Sequence, residues 1–239
     1  MRKELSFMLS DSFFASEEEN SLASIAYKRL EEMIVTVELK PGSIVSETSL
    51  SEYLNIGRTP VREALKKLEN TKAISFLPRK GVYIRVISVD ELLQQCEVRL
   101  VLEDLAVRNA SHYATPPERS KFKEYAEQYR RITNEWKSAV DALRVDDAFN
   151  HLLCKSSRNP FIADALLPLH TLARRNYYLN YFIDKSLTEQ TNFLHADLMD
   201  AIAGADTDRA VQINNQLLST VRKFSSLSLR VWLPELSGN

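Results

Sequence analysis

Leu39–Ile84 reads LKPGSIVSETSLSEYLNIGRTPVREALKKLENTKAISFLPRKGVYI, and within it Arg58-Thr59-Pro60-Val61-Arg62-Glu63-Ala64-Leu65 is the decisive run. Ser46 before Leu50, Tyr53 and Leu54 has the chemistry of a helix N-cap, and Asn55-Ile56-Gly57 supplies a turn. A second helix is expected to follow, with Thr59 as N-cap and Pro60 in its first helical position. On that helix Val61, Leu65 and Leu68 share one face, whereas Arg62 and Lys66 share another. Ile74-Ser75-Phe76 and Val82-Tyr83-Ile84-Arg85-Val86 alternate as strands around Leu77-Pro78-Arg79-Lys80-Gly81, a tip carrying two cations and a glycine. Helix, turn, helix and basic hairpin in this order outline a winged helix-turn-helix, an element that reads duplex DNA.

The same residues carry a resemblance. Pro41-Gly42, Ser46-Glu47, the run Arg58–Leu65 and Arg79-Lys80-Gly81 resemble the DNA-binding domain of GntR-family transcription regulators. This implies base and phosphate contacts from Arg58, Thr59 and Arg62, a phosphate contact from Ser46, and a wing led by Arg79, Lys80 and Gly81. Lys66 joins them on the cationic face. Two positions depart from the family pattern: Thr48 stands where an arginine is common, and Gly57 where a serine or threonine is usual. An altered operator is therefore expected.

Outward from this module the chain turns helical. Among 239 residues there are only 5 glycines and 8 prolines, with 44% hydrophobic content, enough for one or two well-filled cores. The net charge of −1 divides unevenly: residues 26–87 hold 11 basic against 7 acidic side chains, leaving the remainder acidic. A basic module on a mildly acidic body suits a DNA reader. Cys96 and Cys154 sit among apolar neighbours and read as buried thiols. No apolar run has membrane-spanning length, and the start of the chain lacks the features of a signal peptide, so a cytoplasmic protein is expected.

The expected organisation is mainly α. Residues 1–20 form an arm, 21–87 the winged helix-turn-helix with its small hairpin, 88–230 an all-α bundle of about six helices, and 231–239 a tail, in which Val231-Trp232-Leu233-Pro234 can pack back. Ser21 starts a support helix bearing Ile25, Leu30, Met33, Ile34 and Val37, closed by Lys40-Pro41-Gly42. The bundle helices are expected at 90–112, 116–136, 138–156, 160–182, 187–204 and 206–228.

Polar residues in the middle of apolar faces locate a candidate site, because a buried charge needs a partner or a ligand. Arg99 lies with Leu92, Cys96, Leu102 and Ala106, and Glu103 is one turn on. Asp146 and Asn150 sit amid Ala142, Leu143, Phe149 and Leu153; His195 is with Leu198, Met199 and Ile202; Asn214 is near Ile213, Leu217 and Val221. Singly, these read equally well as an internal ion pair or a satisfied core histidine. Together, on four helices, they point to a shared polar pocket.

Arg99-Leu100-Val101-Leu102-Glu103, Asp146–Asn150, Asn159-Pro160 and His195–Ile202 resemble the FCD effector domain of the FadR subfamily. That resemblance implies a homodimer on a palindromic operator and a small organic-acid effector, with helices 90–112 and 187–204 as interface candidates. It also implies a divalent metal on one Asp and three His. Asp146 and His195 match, but the other positions hold Asn150 and Leu217, and His151 is rotated toward the solvent face. Leucine cannot ligate and an amide oxygen is a poor donor beside imidazole. No transition-metal cofactor is expected; a hard cation on Asp146 with waters stays open. Arg99 is then available to a carboxylate. Two alternatives stand beside this reading: a helical domain that only dimerises, and an enzyme using Asp146 and His195 as an acid–base pair. The second lacks a nucleophile with a positioned base and a phosphate loop.

Overall fold

The computed structural model describes residues 21–136 and 138–227; the expected arm at 1–20 and the tail at 231–239 lie outside the described residues. Two compact units result, one ending at Arg85 and the other beginning at Val86.

In the first unit α1 (Leu22–Val35) opens on Ser21, whose hydroxyl accepts from the Ser24 N–H. It ends before Val37, which was expected within the helix and instead takes a left-handed φ of 62°. Val35-Thr36-Val37 is a β-branched run that propagates a helix poorly, and the Thr36 hydroxyl closes the last turn onto the Glu32 carbonyl. Next come β1 (Ile44–Val45), α2 (Glu47–Leu54), α3 (Arg58–Asn70), β2 (Ile74–Leu77) and β3 (Gly81–Ile84). The sheet is antiparallel in the order β1-β3-β2, with Ile44 opposite Tyr83 and Leu77 opposite Gly81. β1 was not expected, since two residues carry no alternation. β3 starts at Gly81 and stops before Arg85 and Val86. Gly81 is required here: its φ is +116°, and a Cβ would come within 2.5 Å of the Val45 carbonyl oxygen.

The second unit holds α4 (Val89–Tyr113), α5 (Pro116–Asn134), α6 (Ala139–Ser156), α7 (Pro160–Asn180), α8 (Lys185–Ala203) and α9 (Thr207–Leu227). Punctuation in the sequence sets their starts. Ser88 and Glu91 form a capping box on α4, Thr115 and Glu118 one on α5, and Asn159 caps α7 ahead of Pro160. The core is filled by Phe122, Tyr129, Phe149, Leu153, Leu166, Leu198 and Met199. Both cysteines are buried and unbridged.

Arg119 on α5 ties two helix ends together. Its guanidinium donates to the carbonyls of Ser111 and Ala114 at the end of α4, and to those of Ile202 and Ala203 at the end of α8. Carbonyls at helix C-termini lack partners within the helix and carry the negative end of its dipole, so one cation satisfies both. Arg119→Ala should therefore cost about 2 kcal/mol, on the scale of hydrogen bonds to charged groups, measured as a lowered urea midpoint; an unchanged midpoint would show that water replaces the cation without loss.

Candidate functional sites

The candidate DNA-reading surface draws on α2, α3 and the β2–β3 hairpin. Ser46 caps α2 as expected, its hydroxyl accepting from the Ser49 N–H at 2.9 Å. Asn55 closes α2 in the left-handed conformation, and the Ile56 N–H bonds the Ser51 carbonyl. The chain thereby enters α3 two residues earlier than expected. Gly57 is its N-cap, Thr59 is already helical, and Pro60 is the third helical residue. The Thr59 hydroxyl is consequently exposed and makes no cap bond.

Val61, Ala64, Leu65 and Leu68 are buried, while Arg58, Arg62, Glu63 and Lys66 are exposed. Arg62 Nε stands 4.0 Å from Glu47 Oε2 on α2, with the guanidinium largely in solvent. Thr48 is half-buried beside Glu47. At the hairpin tip, Arg79 adopts a left-handed φ of 64° and the Lys80 N–H bonds the Leu77 carbonyl, leaving both cationic side chains exposed ahead of Gly81. One module thus presents cations from a helix N-terminus and from a wing tip.

In the helical unit, a cavity of about 40 Å³ is lined by residues of α4, α5, α6, α7, α8 and α9, among them Arg99, Asp146, Asn150 and His195. Four of the six residues expected there line it. Glu103 lies behind the wall, where its Oε1 takes a bond from Arg99 Nε at 2.6 Å and one from His170 Nε2 at 3.1 Å. Asn214 does not line the cavity. It is buried within the packing of α9, its amide unpaired among the described residues, and α9 contributes Val221 two turns further on.

Asp146 is held between two neighbours. Asn150 donates to its Oδ2 at 3.0 Å, and His195 Nε2 stands 3.3 Å from its Oδ1. The other His195 nitrogen faces the Thr191 carbonyl at 2.9 Å, and the ring stacks on Tyr129 at 5.3 Å. His151, on the same helix as Asn150, points outward to Asp147, as its rotation predicts.

His170, Arg174, Tyr129, Tyr177 and Thr191 also line it and were not anticipated, with Leu143, Ala173 and Val221 as the apolar part of the wall. A signal existed. Along α7 the buried positions Ile162 and Leu166 continue at helical spacing into His170, Arg174 and Tyr177. Arg174 pairs with Asp147, and the Tyr177 hydroxyl donates to Asn192.

Burial alone would raise the Glu103 carboxyl, but the Arg99 guanidinium and the His170 bond outweigh it and bring its pKa down to about 2. Burial pushes the His170 imidazole below its ordinary value despite the Glu103 contact. Burial likewise opposes ionisation of Asp146, and the His195 bond holds it below the usual carboxylate range.

Residues 22–84 match the family described as bacterial regulatory proteins, gntR family, and residues 94–220 match the FCD domain. The chain belongs to the GntR family, with an FCD domain. It is similar to the HTH-type transcriptional repressor RspR of Escherichia coli K12, with 28% identity over 82% of this chain and 85% of that protein. The Nta operon transcriptional regulator of Aminobacter aminovorans is 31% identical over 53% of this chain and 60% of its own. Among solved structures, E. coli McbR/YncC has the same fold, with a TM-score of 0.75 at 20% identity, covering 87% of this chain and 99% of that one. A GntR regulator from Rhodococcus sp. RHA1 aligns with a TM-score of 0.66 at 18% identity, covering 85% and 96%. This GntR protein is a transcription regulator with a DNA-binding winged helix, and not an enzyme. No helix among the described residues is long and apolar enough to cross a membrane.

The depressed pKa of Glu103 has a consequence for stability. Its value in the folded protein lies below the ordinary 4.5, so the stabilisation is present above pH 4.5 and is lost as pH falls toward 2. Glu103→Gln strands Arg99 in the interior and should lower stability near neutral pH by about 3 kcal/mol. Denaturation at a series of pH values should show the gap to wild type closing below pH 4.5; a gap independent of pH would contradict the assignment.

Proposed function

We propose that this regulator binds a palindromic operator as a homodimer and that a small carboxylate in the helical unit modulates that binding. The observation carrying the effector reading is the buried Arg99. It commits Nε to Glu103 and lines a cavity that also holds Arg174. A buried guanidinium at a polar cavity is suited to an anion. The cavity's size favours a compact one.

On the DNA side, Arg58, Thr59 and Arg62 enter the major groove from the N-terminal end of α3. Ser46 and Lys66 flank the backbone, Thr48 stands at a base-facing position, and Arg79, Lys80 and Gly81 form the wing. The exposure of the basic groups on one small module supports this reading. Thr48 supplies a methyl and a hydroxyl in place of a guanidinium, which would change the bases preferred at that position.

For the dimer, the outward face of α4 is informative. Gln94, Glu97 and Arg108 are exposed there, but so are Val98, Val101 and Leu105 at helical spacing. An apolar stripe of this kind suits a two-fold contact with a second copy.

Effector binding proceeds in this reading without a transition metal. Leu217 offers no donor, the Asn150 amide N–H is turned to Asp146, and among the described residues no three His, Cys, Asp or Glu side chains are grouped to hold a metal ion. The second reading, a helical unit that only dimerises, draws its support from the same lost histidines.

With an operator selected by the wild-type protein from random DNA, Arg62→Ala should cost about 1–3 kcal/mol of specific binding and relax preference at one position of each half-site. Unchanged affinity and unchanged preference would remove Arg62 from the base-reading set.

A further inference from the structure

The exposed face of α3 carries one acid among its cations. At about 100° per residue, Thr59, Glu63 and Lys66 project within about 30° of the line opposite the buried Val61, Ala64, Leu65 and Leu68, whereas Arg62 lies about 70° to one side. A carboxylate therefore stands near the midline of a surface that meets a polyanion, one turn beyond Thr59.

Nothing within the protein employs Glu63. The other acid of α3, Glu69, accepts from the Phe76 N–H at 3.2 Å and so ties the helix to β2. The Glu63 side chain has no ion pair or hydrogen bond among the described residues, although Lys67 is exposed one turn further on. Arg62, its neighbour, leans toward Glu47 on α2 instead. Nor does the helix dipole hold it, since that field favours acids in the first turn and Glu63 lies in the second.

Against phosphate the Glu63 charge is repulsive, and against a base edge its sign depends on the base. In the major groove guanine and thymine present acceptors, and the adenine amino group stands beside the acceptor N7 of its own ring. Cytosine presents only its N4 amino donor.

Resting on the placement of α3 proposed above, we infer that Glu63 is a specificity-determining residue whose carboxylate accepts from the N4 amino group of a cytosine in each half-site. The guanidinium of Arg62 is suited to guanine O6 and N7, so neighbouring side chains of opposite charge read bases of opposite hydrogen-bonding character. Where no cytosine is in place, the carboxylate meets acceptors and phosphates only. Glu63 thus favours the right sequence and penalises the wrong ones with a single group.

Selection from random DNA by the full-length protein tests this, with Glu63→Ala and Glu63→Gln beside the wild type. The position is exposed and both replacements suit a helix, which an unchanged thermal midpoint verifies. The wild-type protein should select a cytosine at one position of each half-site, and replacing that base should weaken binding about tenfold. Glu63→Ala should bring this ratio close to one while tightening binding to unrelated DNA. Glu63→Gln should move the preference toward adenine, which an amide recognises through N6 and N7. If Glu63→Ala keeps every base preference, or raises affinity for all sequences by one common factor, the inference is overturned; a position relaxed by Arg62→Ala in the same selection would leave the placement of α3 intact. A selected sequence indifferent to Arg58→Ala, Arg62→Ala and Glu63→Ala alike overturns both.

Discussion

A guanidinium and a carboxylate held 2.6 Å apart inside a helical bundle constrain everything around them. Neither Arg99 nor Glu103 could be buried alone, because the desolvation of an isolated charge exceeds what packing returns. Lying one turn apart on α4, they satisfy one another first. His170 on α7 adds a neutral donor to Glu103, and the Gln95 side chain, one turn before Arg99, donates to the Leu169 carbonyl next to His170. A polar seam therefore joins α4 to α7 beside the aromatic and aliphatic core. The cavity is the place where that seam meets a second polar pair, Asp146 with His195.

The winged module obeys simpler rules. Apolar residues at helical spacing on α3 fix which face packs, and the cations are left outside by default. The αL residue Asn55 and the cap at Gly57 fix where α3 begins, and so which side chains stand at its N-terminal end. Gly81 lets the hairpin approach β1 closely enough for the wing tip to be held by a sheet rather than by a loose turn.

Much of this was legible in the sequence, for physical reasons that differ by element. Ser88, Thr115 and Asn159 announce helix starts, because their side chains compete for backbone N–H groups and are followed by glutamate or proline. Arg99, Glu103, Asn150 and His195 were visible as interruptions of apolar faces. Asn214 was equally visible and is equally buried, yet it lies away from the cavity, since a face says that a residue is inside and not what it meets. His170 and Arg174 went unnoticed because α7 is rich in polar residues, and only its first two turns announce the buried stripe. Thr59 was assigned a capping role that Gly57 performs; a threonine before a proline has the composition of a cap, and the left-handed turn at Asn55 decides otherwise. Val37 and β1 were lost to length, one at a frayed helix end and the other in a strand of two residues.

The central claim is that occupancy of the cavity and affinity for DNA are coupled. Coupling between two sites is reciprocal: a ligand that changes operator affinity by some factor must find its own affinity changed by the same factor when the operator is bound. The most direct measurement is operator affinity of the full-length protein in the absence of acid and at a saturating concentration of whichever compact carboxylic acid binds it most tightly by calorimetry. The account predicts a change of about fivefold or more, mirrored in the acid's affinity for the protein–DNA complex. A single operator affinity under both conditions, with the acid demonstrably bound, would contradict it.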